Sequence, residues 1–186
     1  MRDLFDTISS YIPLNKDLRA ALQERMDTHS LKKGSLVHHA DQLCKKSYFI
    51  SSGILRLYFL KDGKEVSEFF CSEKEWINSP RSFMMQEIDE YYIDAIEDTE
   101  AYSLHVEDLM YLFEHFPEME RYSRLDMGSM FRHMFTRIVS LRFSSAKEKY
   151  DHFAENYSHI QHRIPLGMIA SYLGIARETL SRIRRG

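Results

Sequence analysis

The sequence predicts an α+β chain: an N-terminal antiparallel β jelly-roll barrel, then a long interface helix, then a C-terminal helix-turn-helix. Three observations carry this expectation. Between about residues 31 and 106, short apolar runs alternate at period two and are separated by turn residues. From Met127 to Leu141 apolar residues step by four and three. From Pro165 to Arg185 two short apolar helices flank Gly174, and the second carries arginines on its outer side.

Taken in order, Leu4, Ile8, Tyr11 and then Leu18, Leu22, Met26 recur every three or four residues, which predicts helix from about 3 to 28, broken at Pro13. Leu55, Leu57 and Phe59 alternate with Arg56 and Tyr58, as in a half-buried strand. Asp62-Gly63 follows, a hairpin pair that tolerates positive φ. Val66, Phe69-Phe70, Trp76-Ile77, Tyr91-Tyr92-Ile93 and Ala101 to Leu104 supply further strands. Helix is expected again over about 107–142, with Pro117 in a first turn, and over 145–157. The expected units are a barrel with N-terminal helices over 1–116, a dimerisation helix over 117–143, and a helix-turn-helix domain over 144–186.

Composition bounds the function. The chain has 186 residues, 44% hydrophobic and 28% charged, which suits a chain with a packed core. No apolar run approaches the ~18 residues that cross a bilayer, and Met1 to Asp6 lacks a signal-peptide core. No membrane association and a cytoplasmic location are therefore expected. Cys44 and Cys71 form no C-x-x-C pair and read as structural thiols; neither a metal site nor a cofactor is expected. No nucleophile motif, phosphate loop or metal-ligand cluster supports catalysis. Net charge is −3, but residues 159–186 carry five arginines and one acid, so a basic end sits on an acidic body.

In the last segment, Ile169 and Leu173 share a face, Ala170 leaves room for a crossing helix, Gly174 supplies a left-handed turn, and Leu180 with Ile183 form the buried side of the second helix. Its outward residues are Arg177, Glu178, Ser181, Arg182, Arg184 and Arg185. Arginine pairs bidentately with guanine and glutamate accepts from cytosine N4, while the remaining groups suit phosphates. An ordinary α-hairpin competes with this reading but leaves the arginines unexplained. The residues expected at a dimer interface are Met127, Phe131, Met134, Ile138 and Leu141; the competing reading is a helix packed on its own domain.

Weaker signals point mostly to structure. His38-His39 would point to opposite faces of a strand, so they suit surface or packing better than one metal. His133 is a polar helix position or faces a dimer mate. Phe69, Phe70, Trp76, Tyr91 and Tyr92 suit a core more than a ligand pocket.

The order of barrel, long helix and terminal helix-turn-helix resembles the Crp/Fnr regulator family over nearly the whole chain. The closest local likeness is Arg177-Glu178-Thr179-Leu180-Ser181-Arg182, similar to the recognition helix of cyclic AMP receptor proteins; Leu55 to Tyr58 after Gly53 resembles a sensor-barrel strand. The resemblance implies base reading by Arg177, Glu178 and Arg182, and a homodimer on double-stranded DNA with a near-palindromic site, with RNA polymerase a further partner. The family's β wing after the recognition helix has no counterpart before Gly186. Its cyclic-nucleotide cassette carries Gly-Glu and, further on, Arg-Ser or Arg-Thr. Here Asn78-Ser79 and Asp89-Glu90 fall at those places, and Arg81-Ser82 comes early, so the cassette is degenerate. Arg81 and Ser82 are the candidate effector contacts. Seven acids lie between Gln86 and Glu100 with no lysine or arginine, which argues against cyclic AMP. The alternatives are a cyclic-nucleotide-responsive regulator using Arg81, and a ligand- or protein-interaction module that no longer binds DNA.

Overall fold

The structure, a computed structural model, describes residues 1–185. Two helices open the chain, α1 (Arg2–Tyr11) and α2 (Lys16–Arg25), separated at Pro13. The Asn15 side chain accepts from the Leu18 N–H at 2.8 Å and caps α2. Helix was expected to continue to residue 28, but β1 (Met26–Leu31) begins at Met26. Met26 fits the helical spacing of Leu18 and Leu22, yet it adopts φ −99°, ψ 129° and pairs with Leu104. Strand pairing overrides local periodicity there.

The remaining strands are β2 (Leu36–His38), β3 (Lys46–Ser52), β4 (Leu55–Lys61), β5 (Lys64–Cys71), β6 (Trp76–Ile77), β7 (Tyr91–Ala95) and β8 (Thr99–His105). They form two four-stranded antiparallel sheets, ordered β1-β8-β3-β6 and β2-β7-β4-β5. Asp62 (φ 52°) and Gly63 (φ 73°) make the β4–β5 turn, and Lys61 pairs with Lys64. Gly53 has φ 102°, and a Cβ there would lie 2.3 Å from the Thr99 hydroxyl and 2.6 Å from its Cα, so the β3–β4 corner admits no side chain.

The short helix α3 (Pro80–Met85) between β6 and β7 was not expected. Then come α4 (Val106–His115), α5 (Pro117–Phe143), α6 (Ala146–Asn156), α7 (Leu166–Leu173) and α8 (Arg177–Ile183). Pro165 caps α7 from just outside rather than opening it. A capping box between Ser145 and Glu148 starts α6.

Three cores hold the chain. Leu4, Ile8, Leu18 and Leu22 pack with Leu112, Met119 and Tyr122. Ile50, Leu55, Leu57, Cys71, Ile77 and Ile93 fill the barrel. In the third, Ile54, Phe70 and Ile96 of the barrel join Phe153, Tyr157, Ile169, Tyr172 and Leu180 of the C-terminal helices. Phe70 is fully buried there, which stabilises the contact by about 1.5–3 kcal/mol. β5 lies at the end of its sheet, and α7 covers that edge: the Ser171 hydroxyl accepts from the Ser67 N–H at 3.0 Å and donates to the Glu65 carbonyl at 2.9 Å.

Candidate nucleic-acid interface and effector cassette

The turn between α7 and α8 is built by Gly174 at φ 64°, ψ 35°, with the Ile175 N–H reaching back to the Ala170 carbonyl at 3.0 Å. Ile169, Ala170, Leu173 and Leu180 are buried, and Ile183 and Ile175 are partly covered. That packing turns the other side of α8 to solvent. Arg177, Glu178 and Arg182 are exposed on it and Ser181 is half-buried; Arg184 caps the helix and Arg185 follows, both exposed. None of these four arginines makes an ion pair among the described residues. The result is a net cationic face, four arginines beside Glu178, on a short helix held from behind by apolar contacts.

Arg163, the fifth basic residue of the C-terminal segment, sits elsewhere. It pairs with Glu73 and Glu97 of the barrel and does not join the outward face. Ion pairing across the third core thus absorbs one charge that the sequence alone groups with the rest.

The long helix α5 has two faces. Met119, Tyr122, His133 and Arg137 point toward the protein; Tyr122 accepts from the Trp76 indole N–H at 2.8 Å. On the other side Met127, Phe131, Met134 and Ile138 are 46%, 62%, 43% and 46% exposed, extended by Phe135 and Val139. Leu141 departs from this stripe: it is half-buried and lines a crevice with Leu173. A helix drifts ~20° per heptad against a strict seven-residue repeat, which carries the end of the stripe inward. His133 lies on the inward face, its ring 4.9 Å from Phe69 and its Nε2 3.3 Å from the Tyr157 hydroxyl. Burial, followed by the Arg137 charge, holds its pKa below the ordinary value.

In the cassette region, Asp89 is buried and its carboxylate gathers the local donors. It accepts from the Ser79 hydroxyl at 2.6 Å, the Ser82 N–H at 2.9 Å and the Tyr91 N–H at 3.2 Å. The Ser82 hydroxyl is buried too and accepts from the Cys44 N–H at 2.8 Å. Arg81 is exposed and pairs with Glu87 at 2.8 Å. The two candidate effector residues are therefore not brought together: one faces solvent and the other is used inside the fold. Most of the seven acids have local partners, Asp94 with Arg56, Glu97 with Arg163, Asp98 with Lys32 and Glu100 with Ser30. Asp89 alone sits among the cassette donors, so the general repulsion expected from sequence reduces to one internal carboxylate.

Residues 28–116 match the cyclic nucleotide-binding domain. No curated protein matches the chain by sequence. The fold of the cyclic nucleotide-binding domain with its C-terminal helices is shared with solved bacterial proteins. A protein from Eubacterium rectale described as a transcriptional regulator of the Crp/Fnr family is 24% identical, with TM-score 0.72, covering 95% of this chain and 86% of that one. FixK2 from Bradyrhizobium japonicum is 18% identical, with TM-score 0.75, covering 86% and 83%. The c-di-GMP-responsive global regulator CLP of Xanthomonas campestris is 13% identical, with TM-score 0.72, covering 92% and 90%. At these identities the likeness is one of fold.

His38 ends β2 and is buried, while His39 lies just past the strand, half-exposed beside Asp41. Among the described residues no cluster of three or more His, Cys, Asp or Glu suits a metal, and no helix is long and apolar enough to cross a membrane. Both cysteines are free and buried. Sequence reasoning missed the pairing of Arg163 and Arg137 with barrel carboxylates; only proximity in space distinguishes them from other surface cations.

Proposed function

We propose that the chain is a homodimeric, DNA-binding transcriptional regulator of Crp/Fnr type whose effector is not cyclic AMP. The observation that carries it is the exposed, unpaired cationic face of α8. Arg177, Glu178 and Arg182 read base edges in the major groove, Ser181 contributes a hydroxyl, and Arg184 and Arg185 hold phosphates. The exposed stripe Met127, Phe131, Met134 and Ile138 pairs two chains about a two-fold axis. The two recognition helices then face successive major grooves ~34 Å apart on a near-palindromic site. The bound promoter would bring RNA polymerase alongside, in the cytoplasm.

Asp89 favours the reading without cyclic AMP. A cyclic phosphate needs an arginine and free backbone donors, whereas here a carboxylate already takes the Ser79, Ser82 and Tyr91 donors and Arg81 is engaged by Glu87. Electrophoretic mobility of genomic DNA fragments, with sedimentation of the free protein, tests the proposal: retarded fragments and a dimer are expected. A monomer that retards no fragment would leave the interaction-module reading.

A further inference from the structure

A small crevice of about 20 Å³, open to solvent at its mouth, separates α5 from α6 and α7. From α5, His133, Thr136 and Arg137 line it; from α6, Lys149, His152 and Asn156. No carboxylate is among its lining residues. Arg137 is mostly buried: its Nη1 donates to Glu68 at 2.6 Å and its Nη2 to the Ser67 and Tyr172 carbonyls at 3.4 and 3.3 Å. Its Nε is buried without an acceptor. Lys149 and His152 make no ion pair among the described residues; the nearby Asp151 is taken by Lys147. The crevice thus presents the Lys149 ammonium and the polar groups of His152 and Asn156, and Arg137, whose Nε has no acceptor, is one of its lining residues. An unmade bond at a buried donor is costly, and an anion of the right size removes that cost.

We infer that this crevice is a binding site for a small oxyanion of the phosphate or sulfate class, free or as the head group of a small molecule whose body remains outside. The occupant is held from α5 by Arg137 and from α6 by Lys149 and His152. It therefore ties the long helix to the unit that carries α8, at a place distinct from the barrel. The inference does not depend on DNA binding.

The same chemistry has a second source, a phosphate of the DNA backbone, and the experiment separates the two. Thermal unfolding is followed with inorganic phosphate against chloride at equal ionic strength, in the wild type and in Lys149→Ala/His152→Ala. A saturable rise in Tm of about 2–4 °C at roughly five times Kd is expected in the wild type and not in the double variant. No rise, or an equal rise in both proteins, overturns the inference; the equal rise is the exclusion effect of any such salt. In phosphate-free buffer the double variant should keep its DNA affinity within about twofold, with the same salt slope. A roughly tenfold loss across all sequences, with a slope reduced by about one or two, assigns the crevice to the DNA backbone and overturns the free-anion reading.

Discussion

Arg163 grips Glu73 with both ends of its guanidinium, Nη1 to Oε2 at 3.1 Å and Nη2 to Oε1 at 2.8 Å, across ninety residues of sequence. Glu97 accepts from the same guanidinium, and Glu73 also accepts from the Gly53 N–H at 2.9 Å. This network fastens the segment before α7 to the barrel corner beside the shared apolar core.

Arg163→Ala should therefore loosen the C-terminal helices from the barrel. The groups are about a third exposed or less, between the surface and buried cases, so a loss of about 1–2 kcal/mol is expected in urea unfolding. A value within error of zero would show that the apolar core alone sets the docking. The pH dependence has a definite sign. Burial by itself would raise the Glu73 pKa, but Arg163 and the Gly53 N–H pull it from 4.5 to about 2. The stability it contributes is full above pH 4.5 and is lost as pH falls toward 2. Glu73→Gln should differ from wild type at pH 5 and converge on it in acid.

His133 should make the same docking sensitive near neutrality. Its folded pKa lies below 6.5, first through burial and then through Arg137. The unfolded chain takes the proton first, so the contribution is complete above pH 6.5 and declines as pH falls through the folded value. Between pH 7.5 and 5.5, as rough bounds about the usual histidine pKa, Tm should fall more steeply in wild type than in His133→Gln. Parallel curves would remove His133 from the account.

Much of the fold was readable because it rests on local pattern. Asp62-Gly63 demanded its hairpin, and Leu55, Leu57 and Phe59 declared one face of β4. α3 was not readable, since six residues around Pro80 carry no periodicity. Nor was the shared core: Phe70 reads as one more strand aromatic until α6 and α7 are seen to cover the outer side of its sheet. On α5 the sequence holds two interleaved stripes. The exposed one stood out by its apolar residues, while His133 and Arg137 marked the inward one with polar groups whose partners lie far along the chain. Arg163 could not be told from a DNA-facing arginine by charge alone.

Asp89→Ala should destabilise the barrel. It leaves the Ser79 hydroxyl and the Ser82 and Tyr91 N–H groups without their acceptor, at a cost of about 2–3 kcal/mol in chemical denaturation. In wild type, calorimetry with cyclic AMP and cyclic GMP should show binding no tighter than about millimolar, a weak limit of about −4 kcal/mol. Micromolar binding that disappears in Arg81→Ala would restore Arg81 as an effector contact.

Phe131 is the most exposed residue of the apolar stripe at 62%. Placing a charge there buries an unpaired carboxylate in any symmetric contact, and twice over in a two-fold dimer. Phe131→Glu should sediment as a monomer with its thermal unfolding otherwise cooperative. A variant that stays dimeric would move the interface to another surface.

The central claim is that α8 reads DNA sequence, and selection from a pool of random duplexes tests it most directly. Wild type should enrich a near-palindrome whose half-sites are centred ~34 Å, or about ten base pairs, apart. Arg182→Ala should relax one base position in each half-site at a cost of about 1–3 kcal/mol, whereas Arg185→Ala should weaken all sequences alike and flatten the salt slope. Failure of the wild type to enrich any sequence, or an Arg182→Ala protein with unchanged affinity and preference, would contradict it.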